Sequence, residues 1–125
     1  MNNKILIYQV FTRLYGNRNI TRAENGSITE NGSGKFKDFN QSVLKQIREM
    51  GFSHVWFTGV IRHATQTDYT KYGIPAQHQA VVKGRAGSPY AICDYYDVDP
   101  DLAVNVNKRM EEFEALIART HRAGL

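Results

Sequence analysis

Met50-Gly51-Phe52-Ser53-His54-Val55-Trp56-Phe57-Thr58 is the stretch on which the fold turns. Gly51 reads as a helix stop, and residues 52–58 form an apolar run suited to a strand. The join between the two is only a couple of residues. So tight a helix-to-strand turn belongs to βαβ units, whose strands run parallel. Upstream, Asp38 or Asn40 can cap a helix on which Phe39, Val43, Ile47 and Met50 recur at helical spacing. Before that, residues 4–11 (KILIYQVF) are nearly continuously apolar and read as a buried strand. Residues 16–37 are rich in Asn, Gly, Ser and Thr and read as a long loop. Downstream, residues 59–103 are turn-rich, with Gly73, Pro75, Gly84, Gly87, Pro89 and Pro100. A second helix is predicted from about Val106 to Ala123, with Val106, Met110, Phe113, Ile117 and Thr120 on one face. Gly124 is its stop.

Both long loops follow strands, whereas the return from helix to strand is short. In a β/α barrel the strand-to-helix loops form the active face and the opposite turns the stability face. The predicted fold class is therefore α/β, the N-terminal portion (about two βα units) of a (β/α)8 TIM barrel. The chain has 125 residues, whereas a whole barrel typically needs ~250. Residues 1–125 are thus read as one partial barrel domain, truncated before a third strand.

Composition narrows the function. Hydrophobic residues make up 42 % of the chain, and 16 Lys plus Arg against 12 Asp plus Glu give a net charge of +4. The charge is dispersed, with no basic run interleaved with aromatics, so no nucleic-acid footprint is visible. Cys93 is the one cysteine, which excludes an intrachain disulfide and fits a reducing compartment. It lacks a nucleophile signature and reads as a small, semi-buried residue. Ile5-Leu6-Ile7 is too short for a signal-peptide core, and no stretch reaches membrane-spanning length, so the expected location is cytoplasmic with no membrane partner. Asn19, Asn25 and Asn31 head Asn-x-Ser/Thr triplets and read as loop chemistry.

The richest chemistry lies in Gly87-Ser88-Pro89-Tyr90-Ala91-Ile92-Cys93-Asp94-Tyr95-Tyr96-Asp97-Val98-Asp99-Pro100. Turn-formers at both ends mark a loop. Tyr and Asp together offer flat apolar faces and hydrogen-bond acceptors, which suit a sugar's C–H face and its hydroxyls. Tyr95 and Tyr96 read as packing residues, and Trp56 as core. His63 and Asp68 sit where a rim contact is possible. His54, His63, His78 and His121 have no metal-ligand spacing. Asp97, Asp99 and Asp101 alternate, but the Gly and terminal Glu of a calcium loop are missing. Gly84-Arg85-Ala86-Gly87-Ser88 lacks the Gly-Lys-Ser/Thr ending of a phosphate loop.

Several stretches together resemble the amino-terminal part of the catalytic domain of the α-amylase family, glycoside hydrolase family 13. Ile7-Tyr8-Gln9-Val10-Phe11 resembles its first barrel strand, and Gly34-Lys35-Phe36-Lys37-Asp38-Phe39 the segment entering its first helix. Met50 to Val60 resembles the helix end and second strand, with Gly59 where proline is common. Tyr90-Ala91-Ile92-Cys93-Asp94-Tyr95-Tyr96 resembles the family's Tyr-x-x-x-Asp-x-Tyr loop, and Phe113 to Leu125 its second helix.

The resemblance implies part of a retaining hydrolase acting on α-glucans or maltooligosaccharides. A glucanotransferase, a disaccharide isomerase or a non-catalytic sugar-binding remnant is the alternative. Tyr90 is then the sugar-stacking residue and Asp94 a further substrate contact or loop-holding acid. The family's catalytic carboxylates lie on later strands, so this chain is expected to hold no catalytic residue and to be inactive alone. No metal or cofactor is assigned to this segment, and calcium binding by the parent enzyme is left open. With unpaired strand edges, the isolated chain is expected to self-associate.

Overall fold

The computed structural model describes residues 4–125. Strand β1 (Ile7–Phe11) runs directly into a single helical turn, α1 (Thr12–Tyr15). The Asn-rich segment holds one more turn, α2 (Ile28–Asn31), closed by a reciprocal Ser27/Glu30 cap. Helix α3 (Gln41–Glu49) follows a 3₁₀ turn at Phe36–Asp38. Of its two predicted caps Asn40 is the one used: its Oδ1 accepts from the N–H of Val43 at 3.0 Å. Asp38 caps the 3₁₀ turn instead, accepting from the Lys35 N–H at 2.7 Å. Strand β2 (His54–Thr58) pairs parallel with β1, Ile7 opposite His54 through Phe11 opposite Thr58. β1, α3 and β2 are thus a βαβ unit, as the tight turn at Gly51 predicts; Gly51 itself has φ of 100°.

The barrel expectation does not hold. The described residues form two separate two-stranded sheets, and no third strand joins β1 and β2. β3 (Ile61–His63) leaves β2 after two residues and pairs with β4 (Ile92–Val98) in the antiparallel sense. The register shifts on both sides of Arg62. An antiparallel ribbon turned away from β1 and β2 cannot continue a parallel barrel wall. The segment 59–103, predicted as loop, therefore carries a whole ribbon. After 3₁₀ turns at Pro100–Leu102 and Val106–Lys108, helix α4 (Arg109–Arg122) ends the described fold.

One core joins these parts. Val10, Phe36, Phe39, Leu44, Val60, Val98, Leu102 and Leu116 are buried against one another. Phe39 meets Phe57 edge-on at 5.0 Å and stacks on Tyr15 at 4.8 Å. On α4 Phe113 and Thr120 face inward as predicted, whereas Met110 and Ile117 are exposed and Leu116 is the fully buried residue. Alternation along the strands turns Tyr8, Val10, Val55 and Phe57 towards this core. Ile7, Phe11 and Trp56 point the other way; Trp56 is 51 % exposed and is not the core residue expected. Tyr95 and Tyr96 are likewise exposed, and so is Cys93. Arg119 fastens α4 to the 3₁₀ turn, donating to the carbonyls of Phe36 and Phe39 at 3.0 Å each.

Two buried carboxylates follow β4, and Asp101 ties this turn to α1 and to the approach to α3. Asp101 accepts from Arg13 at 2.5 Å and from the Tyr69 hydroxyl, while its carbonyl accepts from Lys35 Nζ at 2.5 Å. Its N–H donates to Asp99 Oδ1 at 3.0 Å. Burial, then the neighbouring Asp101 charge, pushes the Asp99 carboxyl up to about 8. Asp99 Oδ2 finds no hydrogen-bond partner and lies 3.8 Å from His63 Nε2.

A carboxyl held protonated in the fold but free to ionise when unfolded makes stability fall as pH rises. The penalty should begin near the ordinary carboxylate value of 3.8 and level off near 8. Urea titrations of the wild type across this range should show that decline, and Asp99→Asn should flatten it. An unchanged slope in the variant would assign the proton elsewhere.

Candidate functional site

β1 and β2 end side by side, and their ends form the floor of a cleft of about 340 Å³ lined by Gln9, Phe11, Thr58, Pro89 and Tyr90. Gln9 and Phe11 are two apart on β1 and share its outward face. Gln9 Nε2 donates to Thr58 Oγ1 at 3.0 Å, which fixes the amide and leaves its oxygen available.

The wall comes from the turn before β4. The Ala91 N–H donates to the Ser88 carbonyl at 3.0 Å, and the Tyr90 N–H to Ser88 Oγ at 3.3 Å. Gly87 is obligatory there. Its φ is 76°, and a Cβ would stand 1.9 Å from the Ala64 carbonyl oxygen. Tyr90 is held by its backbone while its ring stays 72 % exposed. An exposed ring on a fixed backbone, beside Phe11 and the Gln9–Thr58 pair, can stack on an apolar face and hydrogen-bond polar groups around it.

Gly59 lets Phe11 and Pro89 approach each other at the edge of the cleft. Its φ is 83°, outside proline's reach, and a Cβ there would lie 3.2 Å from both the Phe11 ring and the Pro89 side chain. A proline in its place would demand another path from β2 to β3.

Asp94 is not in this cleft. Its Oδ1 accepts from the Tyr96 N–H at 2.8 Å and its Oδ2 from Arg62 at 2.9 Å. The Tyr96 N–H first, then Arg62, holds the carboxyl below the usual range. Both oxygens serve the ribbon. Arg62 also approaches Asp97, 3.2 Å from Nε to Oδ2, as a charge contact without a directed N–H. Asp97 takes two N–H bonds from Arg109, at 2.7 and 3.0 Å, which ties the ribbon to α4.

His63, read as a rim residue, is buried with Nε2 3.1 Å from the Ala86 carbonyl. Asp68 is exposed and bonded to Thr70. Among the described residues, no group of three or more His, Cys, Asp or Glu is placed to hold a metal. No helix there is long and apolar enough to cross a membrane. Of the predicted contacts the structure places Tyr90 in the cleft and Asp94 outside it. Gln9, Phe11 and Thr58 went unread because residues 4–11 and 52–58 look apolar nearly throughout, and only the final alternation reveals an outward face.

No family model matches the chain, and neither a curated protein nor a solved structure does.

Gly59→Ala should cost about 1–2 kcal/mol from the left-handed backbone alone. The added methyl should also push Phe11 or Pro89 into the cleft. Urea unfolding measures the first effect. A variant as stable as wild type would show that the turn is not constrained as described.

Proposed function

We propose that the chain is part of an α-glucan-active enzyme of the retaining type, to which it contributes a sugar-binding wall, with Tyr90 as the stacking residue. The supporting observation is the exposed Tyr90 ring set beside Phe11, with the Gln9–Thr58 hydrogen bond below them. A glucose unit presents an apolar C–H face and a rim of hydroxyls, and this cleft offers one partner for each. The resemblance of 90–96 to the α-amylase loop points to the same residue. The reading rests on the cleft and not on a barrel.

Retaining hydrolysis needs two carboxyl groups about 5–5.5 Å apart. None of the five residues lining the cleft is acidic. The chain therefore binds sugar without cleaving it, and cleavage belongs to carboxylates supplied from elsewhere. The same observation favours a second reading, a sugar-binding module with no catalytic role. The partners under both are α-glucans or maltooligosaccharides. The exposed Cys93 thiol suits a reducing compartment, which supports a cytoplasmic setting.

Titration of the chain with maltotriose, followed by NMR, tests the reading. Amides around Tyr90, Phe11 and Thr58 should shift, and no cleavage product should accumulate. Tyr90→Ala should weaken binding by a factor of roughly 5, the loss of about 1 kcal/mol of stacking. Asp94→Asn should leave affinity unchanged. Equal affinity for wild type and Tyr90→Ala would remove Tyr90 from the site.

A further inference from the structure

A second concave region lies between residues 17–32 and residues 66–68 and 83–86. Three cavities meet there, each bordered by both Gly26 and Ala86, with volumes of about 230, 410 and 450 Å³. Small-molecule sites run to roughly 300–1,000 Å³. This region shares no residue with the Tyr90 cleft.

Its charge is one-sided. Arg13, Arg22, Lys83 and Arg85 line it, against the single carboxylate of Asp68. Arg13 is spent on Asp101. Arg22, Lys83 and Arg85 have, among the described residues, no hydrogen bond or ion pair from their side chains. Of the nearby acids, Asp68 accepts from Thr70, Glu30, which feels the Arg85 charge, accepts from Ser27, and Glu24 lines none of the three cavities. Three cations without an ion pair, Arg22 on the cavity of about 410 Å³, Lys83 on that of about 450 Å³ and Arg85 on the latter and on that of about 230 Å³, attract an anion to these adjoining hollows. A guanidinium suits the forked oxygens of phosphate or carboxylate.

The backbone around the hollow is unusual. Arg22 and Asn25, with φ of 50° and 52°, are the non-glycine residues at positive φ among those described. Both border these cavities. Left-handed non-glycine residues persist where the surroundings hold them, and they gather at ligand clamps. Here Asn31 holds the loop, its side chain bonding the Ala23 N–H at 2.7 Å and the Ala23 carbonyl at 3.0 Å. Asn17 bonds the Asn31 carbonyl at 3.0 Å. The opposite wall is held by Gln66, whose N–H meets the Arg85 carbonyl and whose amide meets that of Gly84. Asn19 and Thr29 add neutral polar groups at the rim.

We propose that this hollow is a binding site for a sugar bearing an anionic group, phosphate or carboxylate, with Arg22 and Arg85 as its principal contacts. The guanidinium side chains do the recognising; segment 84–88 is no phosphate loop. That the ligand is a sugar rests on the proposed function, whereas the anion site rests on the hollow's own residues and is read out at different amides from the Tyr90 cleft.

NMR titration of the full chain with glucose 6-phosphate, glucuronate and glucose tests it. At least one anionic sugar should shift the amides of Gly26, Arg85 and Ala86 and bind about tenfold more tightly than glucose. Comparing the two anions tells phosphate from carboxylate. Added salt should weaken binding. The double variant Arg22→Gln/Arg85→Gln should lose about tenfold in affinity while its spectrum elsewhere overlays the wild type, since both side chains are free of structural bonds. Equal binding of glucose and the charged sugars, no shift at these amides, or unchanged affinity in the double variant would each overturn the proposal.

Discussion

A carboxylate buried away from solvent must be answered by the protein, and Asp101 is held from three directions, by two partners on its carboxylate and one on its backbone carbonyl. Arg13 comes from the turn after β1, Lys35 from the approach to α3, and Tyr69 from the excursion between β3 and β4. Removing one partner of a buried ion pair typically costs about 3–5 kcal/mol, because the remaining charge is stranded. Burial meanwhile lowers the proton affinity of Lys35 and raises that of Tyr69, with Asp101 opposing the first and reinforcing the second. The protein's irregular half is therefore set by electrostatics more than by apolar area.

That division explains what the amino-acid sequence discloses. β1, α3 and β2 follow apolar periodicity, and their order, their caps and the parallel pairing could be read directly. The β3–β4 ribbon could not. Ile92-Cys93-Asp94-Tyr95-Tyr96-Asp97-Val98 has no continuous apolar face, since one side of it meets solvent and the other meets Arg62 and Arg109. Cross-strand charge pairs hold it, and such pairs are invisible until the register is known. The roles of Asp99 and Asp101 were hidden for a related reason. Aspartates beside proline suggest a wet turn, whereas both are buried: Arg13, Lys35 and Tyr69 converge on Asp101 from distant parts of the chain, and Asp99 is held protonated beside it.

The same contrast separates the two hollows. The Tyr90 cleft rests on the ordered end of a strand pair and uses ring faces and neutral polar groups. The cationic hollow lies between irregular segments that Asn17, Asn31 and Gln66 stitch together. Tyr90 could be picked out from its loop, because an aromatic between turn residues has few structural duties. Arg22 and Arg85 could not, since isolated arginines in polar loops are ordinary until geometry shows that nothing answers them.

The core has a consequence for how the chain comes into being. Phe36, Phe39 and Leu44 emerge early from a ribosome, but Leu116, which seals them, is made far later. At roughly 5–20 residues per second the wait is several seconds. Parallel pairing of β1 with β2 needs the intervening helix formed first, so it offers little early cover. Throughout that interval the apolar side of α3 is open to any other unfinished chain nearby, and a nascent-chain chaperone that covers it would decide yield more than the final stability does.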